Sequence, residues 1–157
     1  VDKLPPNYLF IPLILKALPR AKIVHLRRGP MDACFASFKQ LFADAYPHSY
    51  EQGEMARHHA RYFHLMQTWR DRFGEHFIEV DYEALVTDTE NTLRRVLQYT
   101  GLSWNDACLD YFNREAATAT ASAHQVREAP HQRSVGHWKH FAEQLRPLFQ
   151  TLDETDD

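Results

Sequence analysis

Hydrophobic positions along the chain alternate between short continuous runs and stretches at helical spacing. Val1-Asp2-Lys3-Leu4-Pro5-Pro6-Asn7 reads as the end of a strand entering a turn, because two successive prolines forbid a helix there. Asn7 is placed to cap a short apolar helix that ends before Pro19, with Pro12 near its start. Lys22-Ile23-Val24-His25-Leu26 then has the look of a buried parallel strand, broken by Arg27-Arg28-Gly29-Pro30. From Pro30 onward, Met31, Cys34, Phe35, Phe38, Leu41 and Phe42 recur at helical spacing.

A long helix is predicted from about Gln52 to Phe73, with Met55, Tyr62, Phe63, Met66, Trp69 and Phe73 as its apolar stripe and Gly74 at its end. Phe77-Ile78-Glu79-Val80-Asp81-Tyr82 is a second β-type run. Thr87 and Glu90 make a capping-box pattern before a helix carrying Leu93, Val96 and Leu97, closed by Gly101. A short helix follows with Cys108, Leu109, Tyr111 and Phe112. Residues Glu115–Gln132, rich in Ala, Thr, Ser and His, read as an irregular loop. Trp138, Phe141, Leu145, Leu148 and Phe149 predict a terminal helix bent at Pro147, before an acidic, frayed tail over 153–157. The order of elements argues an α/β fold with a small parallel sheet of two to three strands and many helices.

The length of 157 residues suits one domain, taken as residues 1–152. Eighteen Lys and Arg against 21 Asp and Glu give a net charge of −3, so no overall basic field recommends a nucleic-acid partner. No stretch approaches the ~18–20 apolar residues of a membrane span. Cys34 and Cys108 lack a C-x-x-C partner, which points to neither a disulfide scaffold nor a zinc ribbon and makes a reducing, cytoplasmic setting the default.

The sharpest chemical feature is the strand that ends in Arg27-Arg28-Gly29-Pro30 and turns directly into a helix. Ligands gather at the carboxyl ends of strands in open α/β sheets. A helix N-terminus adds unpaired N–H groups suited to phosphate, and an arginine adds a bidentate partner. The plainer reading pairs Arg27 and Arg28 with Asp32 or other acids. Lys3 is a second candidate cation, and Tyr82, directly after a strand, could flank a base or simply join the core. Ten histidines include His137 and His140 at i,i+3 and His58-His59, but no third ligand has metal-site spacing, so no metal is expected. Cys34 falls on an apolar stripe and reads as packing. The five glycines form neither G-x-G-x-x-G nor G-x-x-x-x-G-K-[ST].

Four segments together resemble the sulfotransferases that use 3′-phosphoadenosine 5′-phosphosulfate, closest to the bacterial and tyrosylprotein branch. Asp2-Lys3-Leu4-Pro5-Pro6-Asn7 is similar to that branch's D-K-x-P-x-N turn. Pro19 to Asp32 resembles the strand, arginine and helix that grip the 3′-phosphate. Val80-Asp81-Tyr82-Glu83-Ala84-Leu85-Val86 resembles the strand end whose tyrosine lies by the adenosine. Ser122-Ala123-His124-Gln125-Val126-Arg127 with Ser134-Val135-Gly136-His137-Trp138 resembles the C-terminal loop that folds over the nucleotide. The resemblance implies a partial P-loop-type fold, the C-terminal part of the domain, with the first strand and phosphate loop absent. It implies sulfuryl transfer to an acceptor hydroxyl or amine in the intact parent protein. Lys3 would be catalytic, and Arg28, Ser37, Tyr82, Ser122 and Arg133 would bind the nucleotide. The family serine stands eight residues after the arginine, where this chain has Ala36, with Ser37 one place later. The basic residue before the tryptophan is His137. A nucleotide-binding remnant without catalysis and a kinase-like phosphoryl-transfer domain are the competing readings, and the acceptor is not encoded in any motif.

Overall fold

The computed structural model describes residues 1–42, 45–113 and 130–155. They belong to two compact units: Val1–Ile23, Gly29–Phe77 and Gly136–Asp157 form the first, and Val24–Arg28 with Ile78–Val135 the second.

The first unit begins with an extended Leu4 and a 3-10 helix over Pro5–Phe10, so the expected strand end is not formed. Pro5 and Pro6 have no N–H for a strand ladder, and their fixed φ favours a helical turn instead. Asn7 lies inside that turn, and its amide donates to the Asp2 carboxylate at 3.1 Å rather than capping a helix. Helix α1 (Ile11–Ala17) follows with Pro12 in its first turn, where a missing N–H costs nothing. Ile11 and Leu15, one turn apart, bury against Met66 and Phe77, with Tyr8, Tyr62, Trp69 and Phe73 around them.

Strand β1 (Ile23–Arg27) leads from the first unit into the second, and helix α2 (Pro30–Phe38) returns to the first. The stripe predicted to reach Phe42 ends at Phe38. Met31, Cys34 and Phe35 are buried, whereas Leu41 is 76% exposed. Helix α3 (Gln52–Phe73) has the limits that its pattern predicts. The Glu51 carboxylate caps it, accepting from the N–H groups of Gly53 and Glu54 at 2.7 Å each, and those bonds lower its pKa. Gly74 ends the helix with an ordinary φ of −53° and passes into a 3-10 turn over Gly74–His76, so its freedom to turn left-handed is not used.

In the second unit β1 pairs with strand β2 (Phe77–Asp81). His25 faces Glu79 and Arg27 faces Asp81, so the register advances equally on both strands and the pairing is parallel. Two strands form among the described residues. β1 therefore has a single neighbour there, and Val24 and Leu26 stay half exposed where a buried strand was expected.

Helix α4 (Tyr82–Thr87) and helix α5 (Thr89–Thr100) follow, with Asp88 between them. The α5 cap is Asp88, not Thr87: its carboxylate accepts from the Asn91 N–H, while Glu90 pairs with Arg94 at 2.7 Å. Gly101 closes α5 at φ +77°, with the Leu102 N–H returning to the Leu97 carbonyl. The short helix expected around Cys108 is two 3-10 turns, Asp106–Cys108 and Tyr111–Asn113.

The terminal helix divides in two. His137–Phe141 is 3-10, and helix α6 (Arg146–Thr155) starts beside Pro147, which opens the helix instead of bending it. Residues 153–155 of the expected tail are helical. Leu145, Leu148 and Leu152 pack with Met31, Cys34, Phe35, Met55 and Ala56 in the main core of the first unit. Gln52 ties the start of α3 to that end of the chain, donating to the Gln144 carbonyl at 3.0 Å and accepting from the Leu148 N–H at 3.2 Å.

Candidate functional site

Side chains alternate across a strand, so Arg27 and Arg28 leave the end of β1 in different directions. On one side the second unit carries a row of paired side chains. His25 Nδ1 lies 3.2 Å from Glu79, and Arg27 lies 3.6 Å from Glu79 and 2.8 Å from Asp81. Arg95 donates to the Glu79 carbonyl at 3.1 Å, tying α5 to the same strand. Arg27 is thereby committed to the sheet.

Arg28 has different company. Its guanidinium lies 4.9 Å from the centre of the Tyr82 ring, and one of its terminal nitrogens donates to the Ser134 carbonyl. Tyr82 reaches it because β2 ends at Asp81 and Tyr82 opens α4. Ser134 belongs to a 3-10 turn, Gln132–Ser134, that packs on α4 and carries the exposed Arg133. One unit therefore brings together three sequence-predicted elements: Arg28, Tyr82 and the turn containing Arg133. A planar cation over a π-face, with a second arginine on the adjoining turn, is an arrangement suited to an anionic ligand with an aromatic part.

The other predicted residues belong to the first unit or lie outside the described residues. Lys3 is exposed in the extended segment that opens the first unit. Ser37 and Ala36 are both half buried in the last turn of α2, where the Ser37 carbonyl accepts from the Gln40 N–H. Ser122 and the segment around it lie outside the described residues.

Two features of the first unit emerge only in the structure. Asp32, read as a possible surface partner of the arginines, is buried, and its Oδ2 accepts from the Gly136 N–H at 2.6 Å. Its one signal in the sequence is an acid in the first turn of a helix opened by Pro30. His48 and His58 stack 3.6 Å apart at 11°. Burial, with His48, His59 and Arg61 nearby, pushes the His58 pKa down to about 4. Among the described residues no three His, Cys, Asp or Glu side chains gather as a metal ligand set. Burial pushes the Cys34 thiol up to about 12, as expected of a packing residue rather than a nucleophile. No described helix is long and apolar enough to cross a membrane.

Comparison with known proteins adds an independent line. The chain is 31% identical over 160 residues to an uncharacterized protein of Aquifex aeolicus (strain VF5), covering 98% of this chain and 21% of that protein. It thus spans about a fifth of the length of the relative it matches. A sequence model described as the sulfotransferase family matches residues 1–106, the stretch that holds the Lys3 turn, the β1–Arg28–α2 unit and the β2–Tyr82 junction, and by that match the chain belongs to the sulfotransferase family.

Proposed function

We propose that the chain serves sulfuryl transfer from 3′-phosphoadenosine 5′-phosphosulfate to an acceptor hydroxyl or amine, as the C-terminal part of a donor-binding domain. The observation that carries this reading is the division of labour between adjacent arginines: Arg27 is held by Glu79 and Asp81, while Arg28 is packed on Tyr82. A donor with a 3′-phosphate on an adenosine needs such a guanidinium beside such a ring.

In this reading Arg28 grips the 3′-phosphate, Tyr82 flanks the adenosine, and Ser122 and Arg133 belong to the segment that covers the nucleotide. Ser37 is the residual hydroxyl near the family serine position occupied by Ala36. In the reaction the acceptor oxygen or nitrogen forms a bond to sulfur while the bond from sulfur to the 5′-phosphate oxygen breaks. The bridging electron pair leaves with 3′-phosphoadenosine 5′-phosphate, and the acceptor proton passes to a base or solvent. Negative charge grows on the departing phosphate oxygen, and Lys3 is the cation assigned to it.

The test is calorimetric titration of the protein with 3′-phosphoadenosine 5′-phosphate and with ADP. Preference for the first nucleotide, lost in Arg28→Ala, supports the reading. Equal binding of both favours a kinase-like phosphoryl-transfer domain, and binding with no turnover when the intact parent protein is supplied with donor and phenol favours a nucleotide-binding remnant.

A further inference from the structure

Asp32, Ser49 and Thr92 are the buried polar or charged residues among those described, and Asp32 is the charged one. A buried carboxylate persists where hydrogen bonds repay its desolvation. Asp32 is the third residue of α2, where the first-turn N–H groups favour negative charge. Its Oδ2 takes the N–H of Gly136, a residue 104 positions away in sequence, at 2.6 Å.

Gly136 is held at φ +70°, ψ 10°, a left-handed conformation that glycine adopts without steric cost. An added Cβ would meet nothing closer than Lys139 at 3.6 Å, so the demand for glycine is conformational and not spatial. From this point the chain turns into the His137–Phe141 3-10 helix, opened by a bond from the Lys139 N–H to the Gly136 carbonyl. The His137 ring comes to 5.8 Å from the Phe35 ring, and Trp138 packs against the core that includes Met31, Cys34 and Phe35. Helix α2 thus supplies both the carboxylate that pins Gly136 and the apolar wall that receives the two residues after it.

We propose that Asp32 is a positioning residue that anchors the chain at Gly136, two residues after Ser134, whose carbonyl accepts from Arg28. The proposal rests on the nucleotide reading above. It assigns Asp32 no contact with the ligand: its role is to hold one peptide N–H and the left-handed turn that follows.

The experiment compares Asp32→Leu, Asp32→Asn, Gly136→Ala and Arg28→Ala, reading amide hydrogen exchange at Gly136, affinity for 3′-phosphoadenosine 5′-phosphate and melting temperature. Asp32→Leu removes the acceptor, and exchange at Gly136 should rise about tenfold or more while nucleotide affinity falls about fivefold to tenfold, the scale of one lost intramolecular hydrogen bond. Asn retains an acceptor oxygen, so Asp32→Asn should stay within about threefold of the wild-type affinity. Gly136→Ala should imitate Asp32→Leu, and combining the two should add little, because both release the same turn. If Asp32→Leu does not fold, Gly136→Ala carries the test alone. Unchanged affinity in Asp32→Leu or Gly136→Ala, beside a clear loss in Arg28→Ala, overturns the positioning role and leaves the nucleotide reading standing. No loss in Arg28→Ala, or no binding by the wild-type protein, overturns the nucleotide reading and this inference with it.

Discussion

The guanidinium of Arg28 lies 4.9 Å from the ring centre of Tyr82, while Arg27, one residue earlier, is bonded to Asp81 at 2.8 Å. Adjacent residues of one type thus have separate surroundings at the point where β1 ends. Removing Arg28 should cost nucleotide binding about 1.5–3 kcal/mol, the scale of a charge-assisted phosphate contact. Arg27→Ala should cost at most about 1 kcal/mol of fold stability, since its pairs are partly exposed, and leave nucleotide affinity near wild type. Calorimetry and denaturant melts on both variants separate the effects, and equal losses of affinity would refute the assignment.

Leu148 is completely buried in the main core of the first unit. Leu148→Ala leaves a cavity and should destabilise the protein by about 2–5 kcal/mol. Leu41→Ala, at 76% exposure, should fall within about 0.5 kcal/mol of wild type. Urea unfolding of both variants is the check, and a small effect at Leu148 would show that α6 is not part of the cooperative core.

His58 gives the stability a pH dependence with a definite sign. Its pKa is pushed from the ordinary 6.5 to about 4, first by burial and then by His48, His59 and Arg61. Between these values the unfolded chain holds more protons than the folded one, so stability falls as pH drops through the window and levels off below it. Burial lowers the pKa of His48 as well, with Glu54 opposing, which adds in the same direction. His58→Phe keeps an aromatic ring against His48 without the titration. Its melting temperature should decline less than wild type between about pH 6.5 and 4. Parallel curves would remove His58 as the source.

Gly101 caps α5 in the left-handed region, with nothing within 4 Å of where a Cβ would stand. Gly101→Ala should therefore cost about 1–2 kcal/mol from backbone conformation alone. Gly101→Asn should cost less, because asparagine tolerates this region. Thermal melts of the two variants give the order, and an equal cost would indicate a steric origin instead.

Elements with strong local signals were read well from the sequence. The 22-residue stripe of α3 and the Arg–Gly–Pro break after β1 lie where periodicity and proline placed them. Two of the errors share one cause, which is competition between nearby partners. Thr87 and Asp88 could each cap α5, and the Asp88 carboxylate took the Asn91 N–H. Pro147 could bend a helix or open one, and the burial of Leu145, Leu148 and Leu152 together fixed it as an opening. At the candidate site, the resemblance selected Arg28 and Tyr82, while the partners that hold Arg27 were beyond local reading, because Glu79 and Asp81 lie more than 50 residues away. Asp32 was hidden for the same reason, its partner being 104 residues distant.

The seat of α6 on α3 also sets an order of events in folding. Gln52 is bonded to Gln144 and Leu148 across more than 90 residues, so the main core of the first unit joins its middle to its last helix. Closing a loop of that length has an entropic penalty that grows only slowly with length, but it must be met before any of the contacts form. Met55 and Ala56, with only Met31, Cys34 and Phe35 of the same core before them in the chain, therefore wait partly uncovered until residues 145–152 have been synthesised and delivered. Folding of this unit is expected to be slow for so helical a chain, and completed from its carboxyl end.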